Sequence, residues 1–197
     1  MTSDSPQFGY PVVLDLTDVA VLVVGGGPVA ARKVTGLAAA GAAVRVVTTH
    51  VGEALDRGLV TELHERPYRS SDLAVVRLVV TATGDVDVDA GVAADARSRG
   101  LWVNAADQPA DCTFILPAVA RNGPLSIAVS TDGASPALAR RLRDRAASLL
   151  SDEVVDLAAD LARRRAAVRA AGGSTEAVDW SPQIDPVLPK EPSRQAR

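Results

Sequence analysis

The stretch DVAVLVVGGGPVAARKV, residues 18–34, decides the fold. Its first part, Val19–Val24, is a continuous apolar run, which predicts a buried β-strand. Three glycines and a proline follow, and Val29–Ala40 then has the composition of a helix that a glycine ends. A second apolar run, Ala43–Val47, completes a strand–turn–helix–strand unit. Such a unit is typical of a parallel sheet covered by helices.

The turn between the first strand and the helix, Gly25–Ala30, matches the pattern G-x-G-x-x-A. In that pattern Gly25 allows a tight turn, Gly27 lets the backbone come close to a pyrophosphate, and Ala30 lets helix and strand pack closely. The helix N-terminus offers free N–H groups and the positive end of its dipole to the phosphates. A plain strand–helix turn is the alternative, but the position between a strand and a helix favours a nicotinamide dinucleotide site.

The ends of the other strands give less definite signals. An acidic residue usually holds the adenosine ribose at the end of the second strand, but this chain has Thr48-Thr49-His50 there. Hydroxyl and backbone groups must then hold the ribose, and the choice between NAD and NADP stays open. His50 is either a ribose contact or a solvated loop histidine. Thr81 and Thr83 either line the nicotinamide half of the site or are small residues that end a strand.

The alternation of strands and helices predicts a Rossmann fold, an α/β doubly wound parallel sheet, in residues 1–112. The pattern then changes, and a small β-hairpin followed by a helix is expected over residues 113–150, around the turn signal Arg121-Asn122-Gly123-Pro124. A C-terminal helix is expected over residues 151–171, and disorder over the proline-rich residues 172–197. The later strands are expected at Val60–Arg66, Leu78–Ala82, Leu101–Asn104, Thr113–Ala120 and Leu125–Ser130.

Composition excludes several classes of protein. The chain has 197 residues and a net charge of −3, so it lacks the overall positive charge that is typical of nucleic-acid-binding proteins. A single cysteine, Cys112, excludes an internal disulfide framework and a cysteine-rich zinc site, and we expect no bound metal. No apolar run approaches the roughly 20 residues that span a bilayer, and the polar start carries no signal core. We therefore expect a cytoplasmic protein without membrane contact.

Asp107 is the candidate catalytic residue, because Asn104-Ala105-Ala106-Asp107 follows the fifth predicted strand. Ligands bind at the carboxyl edge of such sheets, where a carboxylate can reach a substrate beside the nicotinamide. Asp107 is either a general base or the cap of the next segment.

With these segments in view, the sequence resembles the precorrin-2 dehydrogenases, the N-terminal module of sirohaem synthases. The resemblance covers Tyr10 to about Leu150, and the segments F-I-x-P-A and S-x-x-G-x-S-P are its most specific parts. It rests on Leu22–Ala30 with Arg32-Lys33, Thr81–Thr83, Asn104–Asp107, Phe114–Ala118 and Leu125–Pro136.

The resemblance implies an activity and a set of cofactor contacts. NAD⁺ would take a hydride from precorrin-2 to give sirohydrochlorin, and bifunctional relatives then insert Fe²⁺ to give sirohaem. The catalytic aspartate falls on Asp107, which makes chemical sense because dehydrogenation also removes a proton. The phosphate contacts fall on Pro28 and Val29, and the ribose contacts fall on Thr49 and His50.

The resemblance also implies where substrate and partner bind. Precorrin-2 carries many carboxylates, and cations, hydroxyls and helix N-termini bind these groups. Ser130, Thr131 and Ser135 supply hydroxyls, and Arg121 and Arg140 are candidate carboxylate partners. Family members are homodimers, so the hairpin and the helices after it are expected to serve dimerisation.

Two other functions compete with the dehydrogenase. A non-catalytic module that senses NAD(H) would share the glycine turn, but it would not need the hairpin and the Ser135-Pro136 loop as a second substrate surface. An unrelated NADP-dependent reductase of the commonest class would carry a Y-x-x-x-K motif, and neither Tyr10 nor Tyr68 has that spacing.

Overall fold

The computed structural model describes residues 7–188. The chain divides into two compact units, Met1–Leu116 and Pro117–Arg197. The division falls shortly after residue 112, where the sequence predicted the end of the first domain.

The first unit is built on a parallel sheet of five strands in the order β3-β2-β1-β4-β5. This order, with helices between the strands, is that of the Rossmann fold, and it confirms the predicted doubly wound sheet. Helix α1 follows β1 and helix α2 follows β4. The strands are β1 (Ala20–Val24), β2 (Ala43–Thr48), β3 (Glu62–Glu65), β4 (Leu78–Thr81) and β5 (Trp102–Ala105), and the helices are α1 (Pro28–Ala39) and α2 (Val86–Ser98).

The central strand β1 is buried on both faces of the sheet. Its side chains alternate, so that Val21 and Val23 pack in the cluster that includes α1, whereas Leu22 and Val24 pack in the cluster that includes α2. The helices contribute mainly alanine and valine to these clusters, which lets them approach the sheet closely. A strand buried on both faces explains why its sequence is a continuous apolar run.

The second unit begins with an antiparallel hairpin of β6 (Ala118–Asn122) and β7 (Leu125–Val129), against which α3 (Pro136–Ala147) packs. The hairpin was expected, but the predicted start of its first strand at Thr113 is wrong. The backbone N–H of Thr113 donates to the carbonyl of Val103 in β5 at 2.8 Å, so that this residue extends the first unit. The strand β6 instead runs on to Asn122, and only Gly123 and Pro124 form the turn.

The prediction of disorder from residue 172 onward is wrong for the described part of that segment. Helix α4 (Asp152–Ala170) is followed by a 3-10 turn at Thr175–Ala177 and by the short helix α5 (Ser181–Ile184). The indole N–H of Trp180 donates to the carbonyl of Thr175 at 3.1 Å. Residues 189–197, the rest of the predicted tail, lie outside the described residues.

Residues 174–188 are ordered because the chain packs back against α4. Ile184 and Leu188 line an apolar groove together with side chains of α4. One of the four prolines that suggested disorder, Pro182, lies in the first turn of α5, where its missing N–H costs no hydrogen bond. The α4 residues that line the groove are Val154, Leu157, Ala158 and Leu161.

Deleting residues 174–197 should therefore destabilise the second unit, whereas deleting residues 189–197 removes nothing of the described fold. We expect the longer deletion to lower the free energy of unfolding by about 1–3 kcal/mol, because the contacts of Ile184 and Leu188 are lost. Urea denaturation of the two truncated proteins measures this difference. Equal midpoints would show that residues 174–188 do not stabilise α4.

Candidate dinucleotide and substrate site

The end of β1 fits closely against the end of β4 at Gly25. The φ angle of Gly25 is +122°, and a Cβ there would lie 2.3 Å from the carbonyl oxygen of Ala82. Its N–H donates to the carbonyl of Val47 in β2 at 2.9 Å. Any side chain would both strain the backbone and push the strands apart, so the tight turn predicted for this position requires glycine.

Gly26 makes the second close contact of the turn, which sequence reasoning missed. A Cβ on Gly26 would lie 2.2 Å from the carbonyl oxygen of His50 and 2.7 Å from Oγ1 of Thr48. The carbonyl of Gly26 accepts a hydrogen bond from the N–H of Gly52 at 3.0 Å. Gly26 therefore holds the loop after β2 against the turn, although the motif leaves its position free.

Gly27 faces open space instead. It caps α1 in an extended conformation with φ −78° and ψ −177°, and a Cβ there would meet no protein atom within 4 Å. Helix α1 has no side-chain cap and no acidic residue in its first turn. Since Ala31 is the first residue to bond back, to the carbonyl of Gly27, the N–H groups of Val29 and Ala30 remain as donors for an anion.

These features fit the pyrophosphate of a dinucleotide. The open space above Gly27 leaves room for phosphates, and the positive end of the α1 dipole would stabilise their charge. Pro28, the other implied phosphate contact, has no N–H and can offer only van der Waals contact, so hydrogen bonds must come from the residues after it.

The two residues implied as ribose contacts lie beside this turn. Thr49 and His50 are both exposed in the loop after β2. The buried hydroxyl of Thr48 shapes that loop, because it donates to the carbonyl of His50 at 2.8 Å and accepts from the N–H of His50 at 3.2 Å. The contacts of Gly26 thus fix the position of these residues relative to the phosphate turn.

The two threonines at the end of β4 differ in their surroundings. The Thr81 side chain is fully buried, and its hydroxyl donates to the carboxylate of Asp89 in α2. The N–H and the hydroxyl of Thr83 donate to the same carboxylate at 3.1 and 2.8 Å. The buried Thr81 side chain therefore has no surface that could contact a cofactor, which agrees with the interpretation of Thr81 as a small residue that ends a strand. Thr83 is exposed.

Asp89 is a second residue that sequence reasoning missed. Only 2% of its surface is exposed, and its carboxylate ties the end of β4 to α2. Its helical spacing to the buried Val92, Ala93 and Ala96 is the signal that could have found it, because an acidic residue on an apolar helix face needs polar partners.

Asp107 lies in a tight turn directly after β5. Its side chain is exposed, and its φ angle of +59° is in the left-handed region, which aspartate tolerates better than most residues. The next segment, a 3-10 turn, has Gln108 at its N-cap position and no side-chain cap. Within residues 7–188, no protein group donates a hydrogen bond to the Asp107 carboxylate. The carboxylate is therefore available to a ligand.

Lys33 and Asn104 meet beside Asp107. The Nζ atom of Lys33 donates to Oδ1 of Asn104 at 3.2 Å, and the amide of Asn104 donates to the carbonyl of Phe114 at 3.1 Å. Burial lowers the pKa of the Lys33 ammonium, while the nearby Cys112 and Asp107 oppose this shift. Burial also raises the pKa of the Cys112 thiol, whose sulfur accepts a hydrogen bond from the N–H of Ala105.

In the second unit, three of the predicted substrate contacts organise the loop before α3. The Ser130 hydroxyl accepts from the N–H of Asp132 at 3.1 Å, and the Thr131 hydroxyl bonds to both backbone groups of Ser135 at 3.1 Å. The Ser135 hydroxyl caps α3 by accepting from the N–H of Leu138. Arg121 and Arg140 are exposed, and neither forms an ion pair with another residue of the described chain.

Residues 7–188 contain neither a metal-binding cluster nor a membrane-spanning helix. No group of three or more His, Cys, Asp or Glu side chains in residues 7–188 could hold a metal ion. None of the helices in that range is both long enough and apolar enough to cross a membrane.

Comparison with known proteins agrees with this geometry. The family model described as putative NAD(P)-binding matches residues 12–118, and the model described as sirohaem biosynthesis protein central matches residues 122–148. The siroheme synthase of Methylococcus capsulatus is 43% identical over 161 residues, which cover 78% of this chain and 34% of that protein. The siroheme synthase of Pseudomonas entomophila is 45% identical over 152 residues, with coverages of 76% and 33%.

A solved structure extends the comparison to nearly the whole chain. SirC, a precorrin-2 dehydrogenase, superposes with a TM-score of 0.70 at 30% sequence identity, and the match covers 89% of this chain and 92% of SirC. The chain spans about a third of the length of the curated siroheme synthases that it matches.

The glycine turn, the strand order and the first family model define an NAD(P)-binding protein of the Rossmann class. Within that class, the chain belongs to the family of sirohaem biosynthesis proteins that includes the precorrin-2 dehydrogenase SirC. The resemblance found in the sequence is confirmed.

The three glycines of the turn give a prediction that separates folding from cofactor binding. Gly26→Ala should lower the free energy of unfolding by about 2–3 kcal/mol, because its Cβ collides with backbone and with Thr48. Gly27→Ala should change stability by less than about 1 kcal/mol. It should nevertheless weaken NAD⁺ binding at least about tenfold, because its Cβ occupies the space above the helix N-terminus.

Urea denaturation and calorimetric titration with NAD⁺ measure the two effects on each variant. A Gly27→Ala protein with the NAD⁺ affinity of the wild type would contradict the phosphate site. A Gly26→Ala protein with unchanged stability would contradict the contact with the loop after β2.

Proposed function

We propose that this protein is an NAD-dependent precorrin-2 dehydrogenase that forms sirohydrochlorin in the biosynthesis of sirohaem. The observation that carries the proposal is the free carboxylate of Asp107, at the same sheet edge as the phosphate turn. The likeness to SirC over 89% of this chain supports the choice of substrate. We also propose a cytoplasmic location, because the reaction consumes NAD⁺.

The reaction removes one hydride and one proton from precorrin-2. NAD⁺, when bound, supplies the acceptor for the hydride. The Asp107 carboxylate accepts the proton and then releases it to solvent, so that the products are NADH, a proton and sirohydrochlorin. Gly27, Pro28, Val29 and Ala30 are the phosphate contacts of this proposal, and Gly25 forms the tight turn that positions them.

The loop after β2 favours NAD over NADP. Thr49 and His50 are the proposed ribose contacts, and Thr83 is a proposed contact of the nicotinamide half. No lysine or arginine occurs between residues 46 and 56, and the first charged side chain there is the acidic Glu53. A 2′-phosphate would therefore meet no guanidinium or ammonium group from this loop.

The second unit supplies further proposed substrate contacts. Arg121 and Arg140 are exposed cations without an ion pair in the described chain, so they can bind carboxylates of the tetrapyrrole without breaking an existing pair. Ser130, Thr131 and Ser135 hold the loop at the N-terminus of α3, whose dipole also favours an anion.

Insertion of Fe²⁺ into sirohydrochlorin is a second candidate activity, because the curated relatives carry the name siroheme synthase. Fe²⁺ would be a substrate here, and chelation releases two pyrrole protons, which the Asp107 carboxylate could accept in turn if it passes the first to solvent. Asp107→Asn tests this step with sirohydrochlorin and Fe²⁺ as well as dehydrogenation with precorrin-2 and NAD⁺. Loss of both activities would indicate one shared carboxylate.

The proposed reaction has a direct test with Asp107→Asn. Asparagine also tolerates a left-handed backbone but cannot accept the proton, so we expect dehydrogenation to fall by about 10²–10⁴-fold with unchanged NAD⁺ affinity. The assay follows the formation of sirohydrochlorin and NADH from precorrin-2 and NAD⁺ by absorbance.

Asp111→Asn is the matched control, since it makes the same change four residues later. The Asp111 carboxylate pairs with Arg97 at 3.1 Å and has no proposed role in the reaction. A folded Asp107→Asn protein with full activity would contradict the role of Asp107. A wild-type protein that forms no sirohydrochlorin would contradict the proposed function itself.

We further propose that the protein is a homodimer held together by its second unit. Helix α4 has 19 residues and no buried side chain, and α3 buries only Ala139. Leu138, Leu142 and Leu149 are 50%, 44% and 59% exposed. Helices with so little buried surface in one chain need a partner to cover their apolar side chains, and a second copy of this chain supplies the same surface.

Light scattering after size-exclusion chromatography tests the dimer. The wild-type protein should have twice the chain mass of 20.3 kDa, and Leu142→Arg should shift it toward the mass of one chain. A wild-type protein that is monomeric at micromolar concentration would contradict this assignment.

A further inference from the structure

Lys33 has an unusual position for a lysine on an outer helix. It lies in α1, and side chains of a helix lean toward its N-terminus, which here is the end at the carboxyl edge of the sheet. Its Nζ atom reaches Asn104 in β5 and donates to the side-chain oxygen at 3.2 Å. The ammonium group is therefore held at the same strand end as Asp107.

The charge of Lys33 is only partly compensated by protein. An ammonium group has three N–H donors, and in the described part of the chain the Asn104 oxygen is the hydrogen-bond acceptor that Nζ reaches. Asp107 attracts the ammonium, but no carboxylate of residues 7–188 lies within the 4 Å of an ion pair. Burial lowers the pKa of this group, so a ligand that brings a negative charge would recover part of the cost of burying it.

The position of Lys33 argues against the pyrophosphate as its partner. The phosphate turn follows β1, whereas Asn104 lies in β5, two strands away. Neighbouring strands are about 4.8 Å apart, so the two sites are separated by roughly 10 Å. The nicotinamide carboxamide is uncharged and would compensate the ammonium less well than a carboxylate.

We propose that Lys33 binds a carboxylate of the tetrapyrrole substrate and is thus a further substrate-binding residue beside Asp107. This inference rests on the proposed function, which supplies a substrate with many carboxylates. Asn104 holds the ammonium in place, and the carbonyl of Phe114 in turn fixes the amide of Asn104.

Binding of sirohydrochlorin without NAD⁺ tests the proposal independently of turnover. An absorbance titration should show that Lys33→Met raises the dissociation constant about 10- to 100-fold, because a charge-assisted hydrogen bond is lost. Lys33→Arg should keep most of the affinity. Arg32→Met is the matched control, because Arg32 is the exposed neighbouring cation on α1, and it should change the affinity by less than about twofold.

Two further measurements distinguish substrate binding from a structural role or a cofactor contact. The dissociation constant of NAD⁺ should be the same in all four proteins. In steady-state assays Lys33→Met should raise KM for precorrin-2 more than it lowers kcat. If thermal unfolding shows that Lys33→Met is not folded, Lys33→Gln replaces it. Glutamine removes the charge and keeps an N–H donor for the Asn104 side chain.

The outcomes separate this inference from the proposed function. An active wild-type protein whose Lys33→Met and Lys33→Gln variants bind sirohydrochlorin normally would overturn the role of Lys33 alone. Weaker binding of NAD⁺ instead of sirohydrochlorin would assign Lys33 to the cofactor site and also overturn it. A wild-type protein that neither oxidises precorrin-2 nor binds sirohydrochlorin would overturn both.

Discussion

The close approach of backbone at Gly25 and Gly26 is the constraint on which the site depends. Gly25 brings the end of β1 against the end of β4, and Gly26 brings it against the loop after β2. A single methyl group at either position would collide with a carbonyl oxygen. Because the turn fits between its neighbours in this way, the helix N-terminus, the ribose loop and the end of β4 share one edge of the sheet. Gly27 is free of such contacts and leaves room for a ligand.

The polar groups at this edge divide into those that build it and those that remain free to act. Asp89 and Thr48 are buried, and their side chains form hydrogen bonds with backbone groups and neighbouring hydroxyls. Asp107 is exposed and takes no hydrogen bond from a protein group in the described chain, and Lys33 keeps donors to spare. In the proposed dehydrogenation, Asp107 would accept the proton and Lys33 would bind a carboxylate of the substrate.

The sequence was sufficient for much of the fold because its strands are buried on both faces. Continuous apolar runs such as Val19–Val24 are compatible with few structures other than a buried strand. The glycine motif then indicates the connection to α1. The start of the hairpin could not be predicted, since Thr113 is held by a hydrogen bond to Val103, and the order of the last segment depends on contacts of Trp180, Ile184 and Leu188. In the site, the contacts of Gly26 and Lys33 could not be predicted because their partners, Thr48 and Asn104, are distant in sequence. Asp89 binds Thr81 and Thr83, which are close in sequence, but its burial follows from the packing of α2 on the sheet. The phosphate turn and Asp107 could be proposed from the sequence because their positions follow from predicted strand ends.

A crystal structure of the complex with NAD⁺ tests the central claim most directly. The pyrophosphate should lie within hydrogen-bond distance of the N–H groups of Val29 and Ala30, above Gly27. The nicotinamide ring should lie over the ends of β4 and β5, with its C4 atom facing the side on which Asp107 and Lys33 lie. A dinucleotide bound away from the N-terminus of α1, or with its nicotinamide over β2 and β3, would contradict the account.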